Sequence, residues 1–203
     1  MRIGTVSRTL AIFAGILSLT GYGLYNSQIL FGSARPSVAA WLVFGFLVFL
    51  NMGSYWGMSK DWIMSLLPIA SGLSCLATTI VVICKGGGFG RLAVFDWIIL
   101  ACALLACFVW LRFNHAEFAN AIVMVAVGVG FIPIFAGLAS GRVREPTPLP
   151  WIIWTTSYAL GAFTVLLRWH EEPKKKSPYH MVYPAGCIVL HAAVVFMIAA
   201  FSR

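Results

Sequence analysis

The sequence predicts an all-α polytopic membrane protein, with seven transmembrane helices forming two parallel three-helix bundles joined by a linker helix. Three observations predict it: an apolar composition, charges gathered at intervals along the chain, and an internal repeat. Of 203 residues, 61% are hydrophobic and only 10% are charged, and the mean hydropathy is +0.91. Soluble chains carry roughly 25% charged residues. The charges cluster at Arg2/Arg8, Lys60/Asp61, Lys85/Arg91, Arg112/Glu117, Arg142 to Glu145 and Arg168 to Lys176, with long uncharged stretches between. That is the pattern of membrane spans separated by short turns. So few acids and bases exclude a soluble catalytic domain and a nucleic-acid surface. The net charge of +8 is read against lipid headgroups first.

Hydropathy in a window of about nineteen residues places spans at 9–31, 37–57, 62–84, 94–111, 118–140, 150–167 and 181–201. Arg2 and Arg8 precede a long apolar run without a small-residue cleavage pattern, so the first span reads as a retained helix and not a signal peptide. The joining segments are short, and 1–203 reads as a single membrane domain. Trp56, Trp62, Trp97, Trp110 and Trp169 fall at span ends, where an amphipathic indole suits the headgroup region. The five cysteines, Cys75, Cys84, Cys102, Cys107 and Cys187, form no CxxC pair, which speaks against a zinc site and against a disulfide framework.

An offset of 110 residues lays spans one and two on spans five and six, matching Pro36 with Pro146 and Trp41 with Trp151. On span two, Trp41, Phe44, Val48, Asn51 and Tyr55 recur at helical spacing, as do their partners Trp151, Trp154, Tyr158, Gly161 and Val165. Spans three and seven each carry a proline near the start, Pro68 and Pro184. The plan is therefore a first repeat over 1–84, a linker helix over 94–112 and a second repeat over 117–203. The odd number of spans in each unit makes the fourth helix necessary for parallel halves.

The run Gly130-Phe131-Ile132-Pro133, followed by Pro146 and then by Leu149 to Trp154, resembles the PQ-loop hairpin of the SWEET/PQ-loop superfamily of small solute carriers. Over the whole chain the 3+1+3 plan is similar to theirs. Leu24 and Ile134 stand where the motif has glutamine. The resemblance implies a facilitator working by alternating access, with Gly23, Pro36, Pro133 and Pro146 at the family's four flexible positions. Pro133 is deep within a span, where a proline removes a backbone hydrogen bond and makes either a hinge or a static kink. Gly128 and Gly130 before it are expected to admit a close neighbouring helix.

Polar groups at mid-membrane depth are costly, and so they are informative. Counting from span ends puts Thr20, Ser74, Ser157, Tyr158 and His191 near the midplane, with Tyr22, Tyr25 and Asn51 within two turns. The candidate substrate-binding residues are Tyr22, Tyr25, Asn51, Ser74, Trp151, Trp154, Tyr158 and His191. Hydroxyls, an amide and indoles suit a small uncharged solute, such as a sugar, better than an ion. Serine in a membrane helix also bonds its own backbone, and aromatic stripes also serve helix packing.

His191 is the sole ionisable side chain near the centre of a span, and a neutral ring bonded across the bundle is expected there. No cofactor or metal is expected: the other histidines lie at span ends, and span seven lacks the lysine a retinal protein needs. Asp61, Asp96, Glu117 and Glu145 are scattered over different span ends with no partner by spacing, which argues against an enzyme. Membrane lipid and a small neutral solute are the expected partners, nucleic acid is not, and self-association stays open. The alternative function is a non-transporting scaffold, assembly factor or receptor-like protein of the same fold. Lys and Arg number eight on the N-terminal face and six on the other. That leans to N-inside, whereas the resemblance implies N-outside. The composition suits a bacterial inner membrane.

Overall fold

Long runs of Leu, Ile, Val, Phe and Ala cannot leave backbone N–H and C=O groups unpaired in lipid, so the helix is the solution open to them. In the computed structural model, which describes residues 3–34, 36, 38–85, 94–140 and 147–201, they form seven α-helices. These are α1 (Ile3–Leu30), α2 (Val38–Ser59), α3 (Trp62–Lys85), α4 (Val94–Phe113), α5 (Ala116–Ala139), α6 (Leu149–Glu171) and α7 (Tyr179–Phe201). A single 3-10 turn at Pro173–Lys175 lies between the last two. All seven are long and apolar enough to cross a membrane, and the chain is an all-α integral membrane protein.

The helix ends depart from the hydropathy limits in an interpretable way. α1 begins six residues before the predicted start at Thr9, because hydropathy marks where lipid begins and not where backbone hydrogen bonding stops. The extra turn carries Arg8, whose guanidinium lies 5.5 Å from the Trp62 ring centroid, a cation–π contact suited to the membrane boundary. The α2–α3 turn is tight. Lys60 takes the left-handed conformation (φ 47°), and Asp61 then caps α3 by accepting from Ile63 N–H at 2.9 Å and Met64 N–H at 3.3 Å.

Packing follows a repeated order. α3 lies against both α1 and α2, and α7 lies against both α5 and α6. The two groups meet crosswise, α1 on α6 and α2 on α5, while α4 packs on α5 and α2. Burial is inverted relative to a soluble protein. Ser18, Asn51, Ser54, Ser71, Thr78, Asn120, Ser157 and Thr164 are buried, whereas Phe13, Leu73, Ile80, Val125, Val189 and Phe196 point outward. Lipid, not water, is the complement of that surface.

Glycines set several of the close approaches. A Cβ on Gly21 would lie 2.5 Å from Trp154 Nε1, one on Gly45 2.6 Å from Thr79 Oγ1, and one on Gly53 2.9 Å from the Trp110 ring. Gly128 is different: a Cβ there would meet nothing within 4 Å, so the expected close packing does not occur at it. Gly130 makes only ordinary contacts, with Ile99 at 3.4 Å. Trp56, Trp62 and Trp97 are exposed, as headgroup anchors should be. Trp110 instead covers Gly53 and Gly57, and Trp169 donates to His180 Nδ1 at 3.3 Å.

Candidate functional site

Where α6 meets α1 and α7, the rings predicted from the sequence converge. Trp151, Trp154 and Tyr158 recur at helical spacing on α6, which places all three on its inward face, and each is buried. His191, from the middle of α7, sits among them. Its ring centroid is 5.0 Å from Tyr158, 5.2 Å from Phe131, 5.5 Å from Trp151 and 5.8 Å from Trp154. From α1, Tyr22 lies 5.0 Å and Tyr25 6.0 Å from Trp154. Tyr25 in turn stacks on Trp41 of α2 at 5.6 Å, with an interplanar angle of 29°. These offset and edge-on arrangements match the quadrupole preference of aromatic pairs.

The polar atoms of this cage divide into committed and free ones. His191 Nδ1 is 2.7 Å from the Cys187 carbonyl oxygen; an oxygen acceptor requires the proton on Nδ1, and in the neutral ring Nε2 is then an acceptor. The Tyr22 hydroxyl meets the Cys75 thiol. The Tyr158 hydroxyl meets the Cys187 thiol and accepts from the Tyr183 hydroxyl, the latter at 3.5 Å. In contrast, the indole N–H groups of Trp151 and Trp154 are both buried without a hydrogen-bond partner. An unpaired buried donor costs about 1–3 kcal/mol, so two in one cage require explanation.

Of the predicted site residues, Tyr22, Tyr25, Trp151, Trp154, Tyr158 and His191 share this cage. The other two, Ser74 and Asn51, make their hydrogen bonds elsewhere. Ser74 donates to the Ala70 carbonyl of its own helix at 2.7 Å, the local bond that competes with any ligand role. Asn51 lies ten residues beyond Trp41, about 15 Å along α2, and its side-chain oxygen accepts from Asn120 of α5 at 3.0 Å. Asn120 Nδ2 also reaches Ser54 Oγ at 3.2 Å.

Of the hinge candidates, Gly23 and Pro133 lie on outward faces of α1 and α5, and both helices run through them without interruption. Pro36 is half-buried before α2, and Pro146 lies outside the described residues.

Sequence reasoning missed Phe131 as a cage wall and Asn120 as the partner of Asn51. It also left Asp61 without a partner. The structure corrects this: Arg168, at the far end of α6, donates to Asp61 Oδ2 from Nε at 2.9 Å and from a terminal nitrogen at 2.6 Å. Arg168 also pairs with Glu171 and Glu172, and Lys175 reaches Glu172 at 2.7 Å. Nothing in the spacing signals a pair 107 residues apart. The network ties the start of α3 to the end of α6 on the face where α1 begins.

A cavity of about 10 Å3, lined by residues that include Tyr55, Leu67, Pro68, Gly161, Thr164 and Tyr183, has room for roughly one water. Among the described residues no group of three His, Cys, Asp or Glu side chains is placed to hold a metal. Comparison of the chain with protein-family models, with curated proteins and with solved structures finds no match.

Proposed function

We propose that this protein is a facilitative carrier of a small uncharged solute, working by alternating access between two three-helix halves, α1–α3 and α5–α7, with α4 as linker. The observation that carries the reading is the cage itself. It draws Tyr22, Tyr25 and Trp41 from one half and Phe131, Trp151, Trp154, Tyr158 and His191 from the other, and it leaves two indole donors unspent. The crosswise packing supports it, since exchanging α1, α2 and α3 for α5, α6 and α7 reproduces the neighbours among these six helices, with α4 packed to one side on α2 and α5. That is the symmetry expected of parallel repeats and of the SWEET/PQ-loop resemblance. Motion at Gly23, Pro36 and Pro133 would part the halves, and the Asp61–Arg168 network would then close one end.

The test is uptake and efflux of labelled neutral solutes in liposomes. Saturable flux that is lost in a Trp154→Ala, Pro133→Ala double variant supports the carrier. One observation favours a second reading, a non-transporting scaffold, assembly factor or receptor-like protein: the cage is closely packed, and the cavity lined by Tyr55, Leu67 and Tyr183 has room for only about one water. Folded protein without flux of any solute would decide for that alternative.

A further inference from the structure

Trp151, Trp154 and His191 form a nearly equilateral triangle of rings, with centroids 5.3, 5.5 and 5.8 Å apart. The triangle presents two unpartnered indole donors. The third ring of the triangle carries one acceptor nitrogen, fixed as Nε2 because Nδ1 is spent on the Cys187 carbonyl. The nearby hydroxyls are less free, Tyr22 being engaged with Cys75 and Tyr158 with Cys187 and Tyr183. A polyol carries a hydrogen-bond donor on every hydroxyl and needs acceptors to match, and this cage offers few. Its walls are flat rings, and among the described residues no acidic or basic side chain besides the histidine is among its ring contacts. Trp154 Nε1 rests against Gly21, so the site is closed until α1 parts from α6.

We infer that the cage selects a planar neutral solute with a carbonyl–NH–carbonyl edge, a cyclic imide of the uracil type, in preference to a polyol. The two carbonyls would accept from Trp151 and Trp154, the central N–H would donate to His191 Nε2, and the ring faces would lie against Phe131, Tyr22 or Tyr158. This rests on the carrier reading above and names its substrate class. It also accounts for the two unpaired N–H groups, which bound solute would satisfy.

The experiment is isothermal titration of the full chain in lipid nanodiscs with uracil, 3-methyluracil and glucose, run beside liposome flux of the same three compounds. Saturable uracil binding is expected, with 3-methyluracil, whose central N–H is blocked, weaker by about tenfold or more, the size of one hydrogen bond. Trp151→Phe and Trp154→Phe keep an aromatic wall and delete the donor, and each should weaken uracil by a similar factor, whereas lipid-facing Trp56→Phe should not. If a cage variant fails to fold, the uracil against 3-methyluracil comparison on the unaltered protein still decides. Equal binding of the two uracils overturns the inference. Glucose flux without uracil binding overturns it while leaving the carrier reading standing. Uracil binding without flux of any compound supports it and sinks the carrier. Folded protein that neither binds nor moves any of the three overturns both.

Discussion

Gly21 and Gly23 lie two residues apart on α1 and should respond to alanine with opposite signs. A Cβ at Gly21 would stand 2.5 Å from Trp154 Nε1 and 2.8 Å from its Cδ1, roughly 1 Å inside normal carbon contact distance. The indole cannot yield freely, because Tyr22, Tyr25, Trp151 and His191 surround it at centroid distances of 5.0 to 6.0 Å. Overpacking of this kind costs about 1–3 kcal/mol. Against it stands the helix preference for alanine over glycine, about 0.5–1 kcal/mol. The net expectation for Gly21→Ala is destabilisation centred on roughly 1 kcal/mol and reaching about 2.5 kcal/mol if the indole does not yield at all.

At Gly23 a Cβ meets nothing within 4 Å, so Gly23→Ala should stabilise by about 0.5–1 kcal/mol. The atoms struck at Gly21 belong to the pyrrole edge of the indole. Trp154→Phe removes that edge, so in the Gly21→Ala background it should cost less than alone, with a coupling of about 1 kcal/mol. The assay is denaturant or thermal unfolding in mild detergent, with near-ultraviolet circular dichroism reporting the cage. Equal behaviour of Gly21→Ala and Gly23→Ala, or additivity of Gly21→Ala with Trp154→Phe, would refute the reasoning.

Other consequences follow from single contacts. Asp61→Asn keeps a side-chain acceptor at the start of α3 but breaks the ion pair with Arg168; since Glu171 and Glu172 remain to Arg168, the loss should be about 1–3 kcal/mol, below the ~3–5 typical of orphaning a buried charge, as read from thermal midpoints. Asn120→Leu leaves the Asn51 amide unpaired and should cost about 1–3 kcal/mol, whereas Asn51→Leu combined with Asn120→Leu should recover most of that loss in the same unfolding assay. Lys60→Gly should stabilise by about 1–2 kcal/mol, because φ 47° penalises a side chain; an unchanged midpoint would argue against that strain. The Glu172 carboxyl is held below its ordinary pKa, first by its hydrogen bond to Lys175 and also by Arg168. Its contribution is therefore complete above the unfolded value of about 4.3 and lost as pH falls through the lower folded value. The midpoints of the parent and Lys175→Met should thus converge on acidification, and a gap that persists in acid would contradict the assignment.

The number of spans and most of their limits were legible in the sequence, because the cost of unpaired backbone in lipid forces every long apolar run into a helix. The aromatic stripe was legible too, since Trp151, Trp154 and Tyr158 follow a period that puts them on one face whatever that face meets. What the face meets was not. Phe131, Tyr22 and His191 come from three other helices, and only packing sets their azimuth. Ser74 shows the limit from the other side: its depth suggested a ligand contact, but a carbonyl one turn back in its own helix captures it first. The start of α1 at Ile3 was hidden for a different reason, since hydropathy follows the lipid boundary and helical hydrogen bonding continues past it.

The sequence by itself thus determined class, span count and which residue types are buried, because these depend on local composition and helical period. Tertiary structure decided the pairings. The joining of Asp61 to Arg168 and of Asn51 to Asn120, the engagement of His191 Nδ1 and the two indole donors left without partners depend on where separate helices come to rest. No local property of the chain encodes that.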